Sequence, residues 1–175
     1  MKKYLMYSFI SIIILSGCGY YRIKNITKPN IDLNNYNKIY ASWLDLGEDK
    51  WAVYRYSTEK EWLDLINAVN RSVVPSYFKE VFEDKTVISA KNPGENPPSD
   101  CLIISFENAN YNNSDEELFV TIIIIDGKTS RTLAKATVYI DARKGGGFQV
   151  WSFEQKINNS IHNLTYFIRD KIFKQ

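Results

Sequence analysis

The hydrophobic residues of this chain recur with two different periods, one typical of strands and the other of helices. Apolar and β-branched residues at alternate or successive positions suit a pleated, packed surface. They predict strands over 38–46, 86–90, 101–106, 118–125 and 132–140. The runs at 101–106 and 118–125 are the most apolar, so we expect these two strands near the centre of a sheet.

Helical spacing is found in two segments, and a capping pattern precedes each of them. Thr58 and Glu61 stand before the first, in which apolar residues recur every three or four positions: Trp62, Leu65, Ile66, Val69 and Val73. Pro75 interrupts the continuation of this stripe, so we expect a kink or a helix restart there. Ser152 and Gln155 precede the second stripe, which comprises Phe153, Ile157, Ile161, Leu164, Ile168 and Ile172.

Turn signals complete the predicted order of elements. Asp126-Gly127 is typical of a hairpin turn, and 51–56 is interpreted either as a short strand or as an aromatic loop. The order strand, helix, several strands, helix predicts an α+β fold. We expect a mixed or mostly antiparallel sheet of about five strands, with two amphipathic helices on one face, in a single domain over 38–175.

The beginning of the chain carries a targeting pattern. Met1-Lys2-Lys3 is positively charged, and 4–15 is an apolar run shorter than the roughly 20 residues that a membrane-spanning helix needs. Leu15-Ser16-Gly17-Cys18 follows and resembles the lipobox of bacterial lipoprotein precursors. The resemblance implies that 1–17 is a signal peptide, that the chain is cut before Cys18, and that the Cys18 thiol carries a diacylglyceryl group.

A lipidated cysteine would determine where the protein resides. Two acyl chains hold a domain at a membrane without a transmembrane helix. Gly19 rather than Asp follows Cys18, which in enterobacteria favours the outer membrane, and the domain is expected on its periplasmic side. Residues 18–37 lack a sustained period and predict a flexible tether spanning roughly 20 to 25 Å. The alternative is that Tyr20 and its neighbours pack on the fold.

The charge balance bears on the class of partner. The full chain has 22 Lys and Arg against 20 Asp and Glu, so removal of Lys2 and Lys3 with the signal peptide leaves a formally neutral protein. Proteins that bind nucleic acids usually have a basic surplus on one face or helix. The sequence shows no such surplus, and export is a second argument against nucleic acid as a partner.

The order of elements also resembles that of known envelope proteins. The strand-turn-strand segment 122–139 around Asp126-Gly127-Lys128, followed by a closing amphipathic helix, is similar to small periplasmic domains. Examples are the amino-terminal domain of the Tol-system periplasmic protein and the curli-secretion lipoprotein. The resemblance implies an accessory role in an envelope assembly with a protein partner, and no functional residue carries over from it.

The residues that carry catalytic chemistry are few. His162 is the only histidine, and Cys101 is the only cysteine besides Cys18, so neither a disulfide within the mature chain nor a dedicated zinc site is expected. Cys101 opens an apolar strand and suits a small core residue better than a nucleophile. We therefore expect no catalytic residue, no metal and no cofactor, and a Cys101–His162 pair is the weakest of three alternatives.

Aromatic residues supply the remaining candidate site. Twelve Tyr, nine Phe and four Trp are many for this length, and Trp51, Tyr54 and Tyr56 cluster in one segment. Strand alternation would place Trp51 opposite the two tyrosines, so part of the cluster would be exposed. Exposed rings suit protein interfaces and stacking on sugars. The first hypothesis is therefore a non-enzymatic accessory lipoprotein that docks through this patch or a strand edge, and the second is a module that binds a glycan or small ligand there.

Overall fold

The computed structural model describes residues 20–29, 31–91, 100–142 and 151–174. The predicted signal peptide 1–17 and the predicted lipidation site Cys18 lie outside these residues. Six strands form one sheet: β1 Tyr21–Thr27, β2 Lys38–Ser42, β3 Thr86–Ala90, β4 Cys101–Asn112, β5 Glu117–Asp126 and β6 Thr132–Asp141. The helical part comprises α1 Glu59–Ala68, α2 Val74–Val81 and α3 Phe153–Phe167, with short 3-10 turns at Leu33–Asn35 and Glu48–Lys50.

The strand order across the sheet is β1-β6-β5-β4-β2-β3. β2 is parallel to both β3 and β4, whereas β4, β5, β6 and β1 pair antiparallel. The segment containing α1 and α2 connects β2 to β3, because parallel neighbours need a crossover and not a hairpin. The predicted α+β fold with a mixed sheet is confirmed, and the sheet has one strand more than the expected five.

The helices pack on one face of the sheet, which we call the helix face. Phe78 of α2 contacts Phe106 of β4 with ring centroids 6.2 Å apart, and Phe153 of α3 contacts Tyr111 of the same strand at 5.2 Å. The register places these β4 residues beside the fully buried positions of β5: Leu118, Val120, Ile122 and Ile124. Their β6 partners on the helix face are buried as well: Ala134, Ala136, Val138 and Ile140.

β1 was not expected, and it corrects the prediction of a flexible tether. Tyr21–Thr27 pairs with β6, and a bulge lies between Ile23 and Asn25. Farther along, Leu33 is buried in the core at 1% exposure. The expectation of a flexible tether over 18–37 is therefore wrong for these residues, and the alternative that Tyr20 and its neighbours pack on the fold describes this segment better.

Both capping predictions are confirmed. The Ser152 hydroxyl accepts from the Gln155 backbone N–H, and the Gln155 side chain accepts from the Ser152 N–H, which completes a capping box. Thr58 accepts from the Glu61 N–H in the same way, but the Glu61 carboxylate accepts from the backbone of Ser57. The side chain of the capping residue therefore pairs one first-turn N–H at the start of each helix.

Pro75 lies at the second position of α2, immediately after a π-helical turn at Val69–Val73. The proline lacks an N–H and its ring crowds the preceding turn. The wider π turn accommodates the proline ring, and within it the Val74 N–H donates to the Val69 carbonyl. The expected restart thus takes the form of a change in hydrogen bonding, and the chain stays helical from α1 through the π turn into α2. A similar turn, Ile168–Phe173, follows α3.

Candidate functional site

The amino-terminal end of β1 is the part of the described sheet that is nearest in sequence to Cys18, the predicted lipidation site. β1 begins at Tyr21, three positions after Cys18. Tyr20 is 42% exposed, and its carbonyl accepts from the Asp141 N–H at 2.7 Å. The Tyr21 ring packs against Phe167 of α3 with centroids 4.9 Å apart. The chain is therefore fixed to both the sheet and the helix layer as soon as β1 starts.

Of the three predicted aromatic site residues, Tyr54 is buried at 5% exposure. Its ring stacks on Trp62 at 4.9 Å and lies 5.0 Å from Phe153. Its hydroxyl donates to Asn110 Oδ1 and accepts from the Tyr111 N–H, both at 3.2 Å. Burial raises the pKa of Tyr54. These contacts give Tyr54 a structural role, joining the 51–56 loop to β4.

Trp51 and Tyr56 are half-buried and pack against the same core cluster. Residues 51–55 form a turn and not a strand, with the Tyr56 N–H donating to the Trp51 carbonyl at 2.9 Å. The loop interpretation is therefore correct and the strand interpretation wrong. The three rings do not form one exposed patch, because Tyr54 is covered by Trp62 and Phe153.

Cys101 and His162 have separate surroundings. Cys101 is fully buried, and burial raises the pKa of its thiol, which disfavours the thiolate that a nucleophile needs. The His162 ring lies between Tyr77 and Tyr166, with centroids at 5.0 and 4.7 Å. The charged groups around Cys101 are different ones: Lys38, Asp100 and Asp126. Nothing among the described contacts joins the two residues into a pair.

Carboxylates, histidine and cysteine are also scattered with respect to one another. Within the described ranges, no group of three or more such side chains is arranged to hold a metal ion. In the same part of the chain, no helix is both long and apolar enough to cross a membrane.

The face of the sheet opposite the helices, which we call the open face, carries the largest half-exposed apolar side chains of the central strands. Along β5 and β6, residues that alternate with the buried positions remain partly accessible: Phe119, Ile123, Ile125 and Tyr139. Thr121 and Thr137 lie between them and share a hydrogen bond of 3.1 Å. On the open face, large apolar side chains thus lie on both sides of the threonine pair.

A cavity of about 330 Å³ lies at the end of the open face that is nearest the start of β1. Phe119 and Tyr139 line it as a cross-strand pair with ring centroids 5.0 Å apart. Its other lining residues are polar or charged: Arg22, Asn110, Asn112, Asp115 and Glu117. The Arg22 guanidinium lies 4.7 Å from the Tyr139 ring centroid and forms two hydrogen bonds with Glu117. We call this cavity the β1-end cavity.

A second, wider concavity of about 750 Å³ lies where β4 extends beyond the end of β2. It is formed by the loop from Asp45 to Lys50 and by the β4 bulge, in which Asn108 has a positive φ of 52°. Gly47 has a φ of 84°, and a Cβ there would lie 2.9 Å from Lys50 Cγ. Phe106 is the one aromatic residue among those that line this surface, so it lacks the aromatic pair of the β1-end cavity.

No family model matches the chain, and no curated protein matches it. Among solved structures, the chain is similar to the PelC dodecamer from Paraburkholderia phytofirmans, with a TM-score of 0.43 and 14% identity over 82% of this chain and 94% of that one. A single-substitution variant of the same dodecamer in another crystal form gives a TM-score of 0.40 and 14% identity over 83% and 97%. These values describe a distant likeness.

Proposed function

We propose that this protein is a bacterial envelope lipoprotein, anchored through lipid on Cys18, that serves as a non-enzymatic accessory component of an envelope assembly. The observation that carries the proposal is the short distance between two features. The lipobox pattern Leu15-Ser16-Gly17-Cys18 ends three positions before β1 begins. A signal that directs lipidation thus leads almost directly into the sheet.

The length of this connection decides how the domain is held. An extended chain spans at most about 3.6 Å per residue, so Tyr21 lies within about 11 Å of the Cys18 Cα. This is about half of the distance expected for a tether through Asn37. A diacylated Cys18 would hold the start of β1 at the headgroup region, since two acyl chains anchor stably. The domain would then contact its partner at the membrane surface.

The accessory role is supported by the character of the surfaces. β1 and β3 end the sheet, so each presents an edge to which an envelope partner is able to add. The two edges differ, because β1 carries a bulge and exposes Arg22 and Lys24 beside Ile23, whereas β3 pairs regularly with β2 and exposes Ile88 at 37%. Charges and bulges discourage strand addition. We therefore favour the β3 edge as the docking surface and not the aromatic loop.

The proposal is tested by changing the length of the connection. Ten Gly and Ser residues are inserted between Cys18 and Tyr21, and the same insert is placed in the exposed turn at Lys128 as a control. In-cell crosslinking of the tagged full chain should recover one near-stoichiometric envelope partner from wild type and from the turn insertion. The amino-terminal insertion should reduce that yield several-fold, because it releases the domain from the surface.

Two results would contradict the proposal. Absence of any near-stoichiometric partner in wild type would remove the accessory role. A partner that is recovered equally from both insertion variants would show that the close position at the membrane is not required.

A further inference from the structure

The β1-end cavity has a composition that its structural role in the sheet does not explain. On β5 and β6, the residues of the helix face next to this cavity, Leu118 and Ile140, are completely buried beneath the helices. Phe119 and Tyr139 point the other way and remain half-exposed. A cross-strand aromatic pair stabilises a sheet, but stability alone does not require that polar groups surround the rings on a concave surface.

The polar groups around the rings combine donors and acceptors at short spacing. Arg22 donates to Glu117 at 3.1 and 2.5 Å, and the Asn112 amide donates to Asp115 at 2.6 Å. These bonds hold the side chains in place before any ligand arrives. The Asn112 carbonyl oxygen also accepts from the Ser114 N–H at 2.9 Å, which fixes the orientation of the amide.

The charges of the cavity argue against a strongly ionic ligand. Arg22 is offset by Glu117, and Asp115 adds a second carboxylate, so the rim has no uniform sign. An anion would meet the carboxylates and a cation would meet the guanidinium. The arrangement suits a neutral molecule that has hydroxyl groups at its edge and an apolar face. A sugar ring has both properties, since its axial C–H groups stack on aromatic rings while its hydroxyls donate and accept.

We infer that the β1-end cavity binds a neutral saccharide, with one sugar ring placed against Phe119 and Tyr139. The ring hydroxyls are hydrogen-bonded by the amides of Asn110 and Asn112 and by the Asp115 carboxylate. The volume of about 330 Å³ lies near the lower end of small-molecule sites, which are about 300 to 1,000 Å³. A short segment of a longer glycan therefore fits better than a large ligand.

This site is distinct from the aromatic loop that the sequence favoured for glycan binding. That loop has Tyr54 covered by Trp62 and Phe153, so it offers no open platform. The inference is also independent of the proposed function, because it concerns only residues of the folded domain. Failure of lipidation at Cys18 leaves it intact, and loss of saccharide binding leaves the anchoring proposal intact.

The test uses the full chain in a detergent without a sugar headgroup, since a glycosidic detergent would compete for the site. The protein is first applied to an array of neutral oligosaccharides that includes chitotetraose, cellotetraose and maltotetraose. The best probe is then titrated by calorimetry into wild type, Tyr139→Ala, Asn112→Ala and Tyr40→Ala. Tyr40 is a half-buried tyrosine of β2 outside the cavity, so its variant controls for loss of a ring.

We expect one probe to bind. Both cavity variants should raise its Kd by about tenfold or more, because one loses a stacked ring and the other loses a hydrogen bond. Tyr40→Ala should bind as wild type does. Asn112 is exposed, so its variant keeps the test valid if Tyr139→Ala does not fold. The inference is overturned if no oligosaccharide on the array binds, or if Asn112→Ala binds the probe with unchanged affinity.

Discussion

At the scale of single residues, Asn70 shows how one buried amide stabilises the crossover between β2 and β3. It is 1% exposed, its Oδ1 accepts from the Leu44 N–H at 2.6 Å, and its Nδ2 donates to the Leu44 and Ile66 carbonyls at 3.0 Å. Asn70→Ala should lower the free energy of unfolding by about 2 to 4 kcal/mol, because the buried Leu44 groups lose their partners. Urea denaturation measures this loss.

Asn67→Ala is the matched control, since Asn67 lies three residues earlier, in the last turn of α1, and is half-buried. Its effect should stay below about 1 kcal/mol. Equal effects of the two substitutions would show that the loss comes from helix propensity and not from the bridge to Leu44.

A second residue-scale prediction concerns pH. The Tyr36 hydroxyl donates to Asp126 Oδ2 at 2.5 Å, and this bond lowers the pKa of Asp126 below its ordinary value of 3.8. Burial, together with the same bond, raises the pKa of Tyr36 to about 12. Because the pKa of Asp126 is depressed in the folded state, its stabilising contribution is present above pH 3.8 and is lost as the pH falls through the folded pKa.

Tyr36→Phe should therefore lower the free energy of unfolding by about 1 to 2 kcal/mol at neutral pH, and by less once Asp126 is protonated. Denaturation of both proteins over the acid range measures the difference. A difference that is constant with pH would mean that Tyr36 stabilises the fold by packing and not through the carboxylate.

Side-chain burial was predictable where the period of the sequence was regular and not where a loop intervened. The helix stripes named the buried residues of α1 correctly, since spacing alone places them on one face. For α3 they named Ile157, Ile161 and Leu164 but not Phe167, which is buried as well. Tyr54 was misplaced because the 51–56 loop winds as a turn and hides its ring beneath Phe153. Phe119 and Tyr139 were overlooked, although each alternates with buried strand positions and so had to face the other way.

At the scale of elements, β1 is the strand that distinguishes this fold from the one expected. Its residues do not predict a strand, because the bulge between Ile23 and Asn25 breaks the alternation and the exposed residues of β1 are mostly polar. Its partner β6 was predictable because alanine, valine and isoleucine recur there at alternate positions. A strand held chiefly by pairing with one neighbour is hard to infer from its own composition.

Hydrogen exchange tests β1 directly. If Tyr21–Thr27 pairs with β6, the amides that join the two strands should exchange at least about tenfold more slowly than those of an unstructured peptide of the same sequence. Mass spectrometry of the full chain in detergent resolves this segment. Exchange at the unstructured rate throughout 21–27 would restore the flexible tether through Asn37.

The capping box of α3 permits a prediction about helix stability. Ser152→Ala removes the hydroxyl that accepts from the Gln155 N–H, so it should lower the free energy of unfolding by about 1 kcal/mol. Ser57→Ala is the control, because Ser57 is exposed and its backbone N–H still reaches Glu61 after the substitution. Chemical denaturation should show no more than a few tenths of a kcal/mol for the control, and an equal loss in both variants would rule out the cap as the cause.

At the scale of the whole molecule, the described helices pack on the helix face of the sheet, and the side chains of the open face remain partly accessible. The helix face contributes stability because the helices pack on it, and the open face carries the β1-end cavity beside Arg22. Arg22 directly follows Tyr21, so an anchor on Cys18 would place this cavity close to the membrane surface. Fold class was predictable because element order restricts topology, whereas the position of the cavity depends on strand register.

The proposed function depends first on lipidation of Cys18, which intact-mass spectrometry of the chain purified from membranes detects. We predict a chain that begins at Cys18 and carries a diacylglyceryl group on the thiol. Cys101→Ala should be processed in the same way, because Cys101 is buried in the sheet, whereas Cys18→Ala should retain residues 1–17 and carry no lipid. A wild-type chain that is uncut before Cys18, or that is cut there but has the mass of the unmodified polypeptide, would contradict the account.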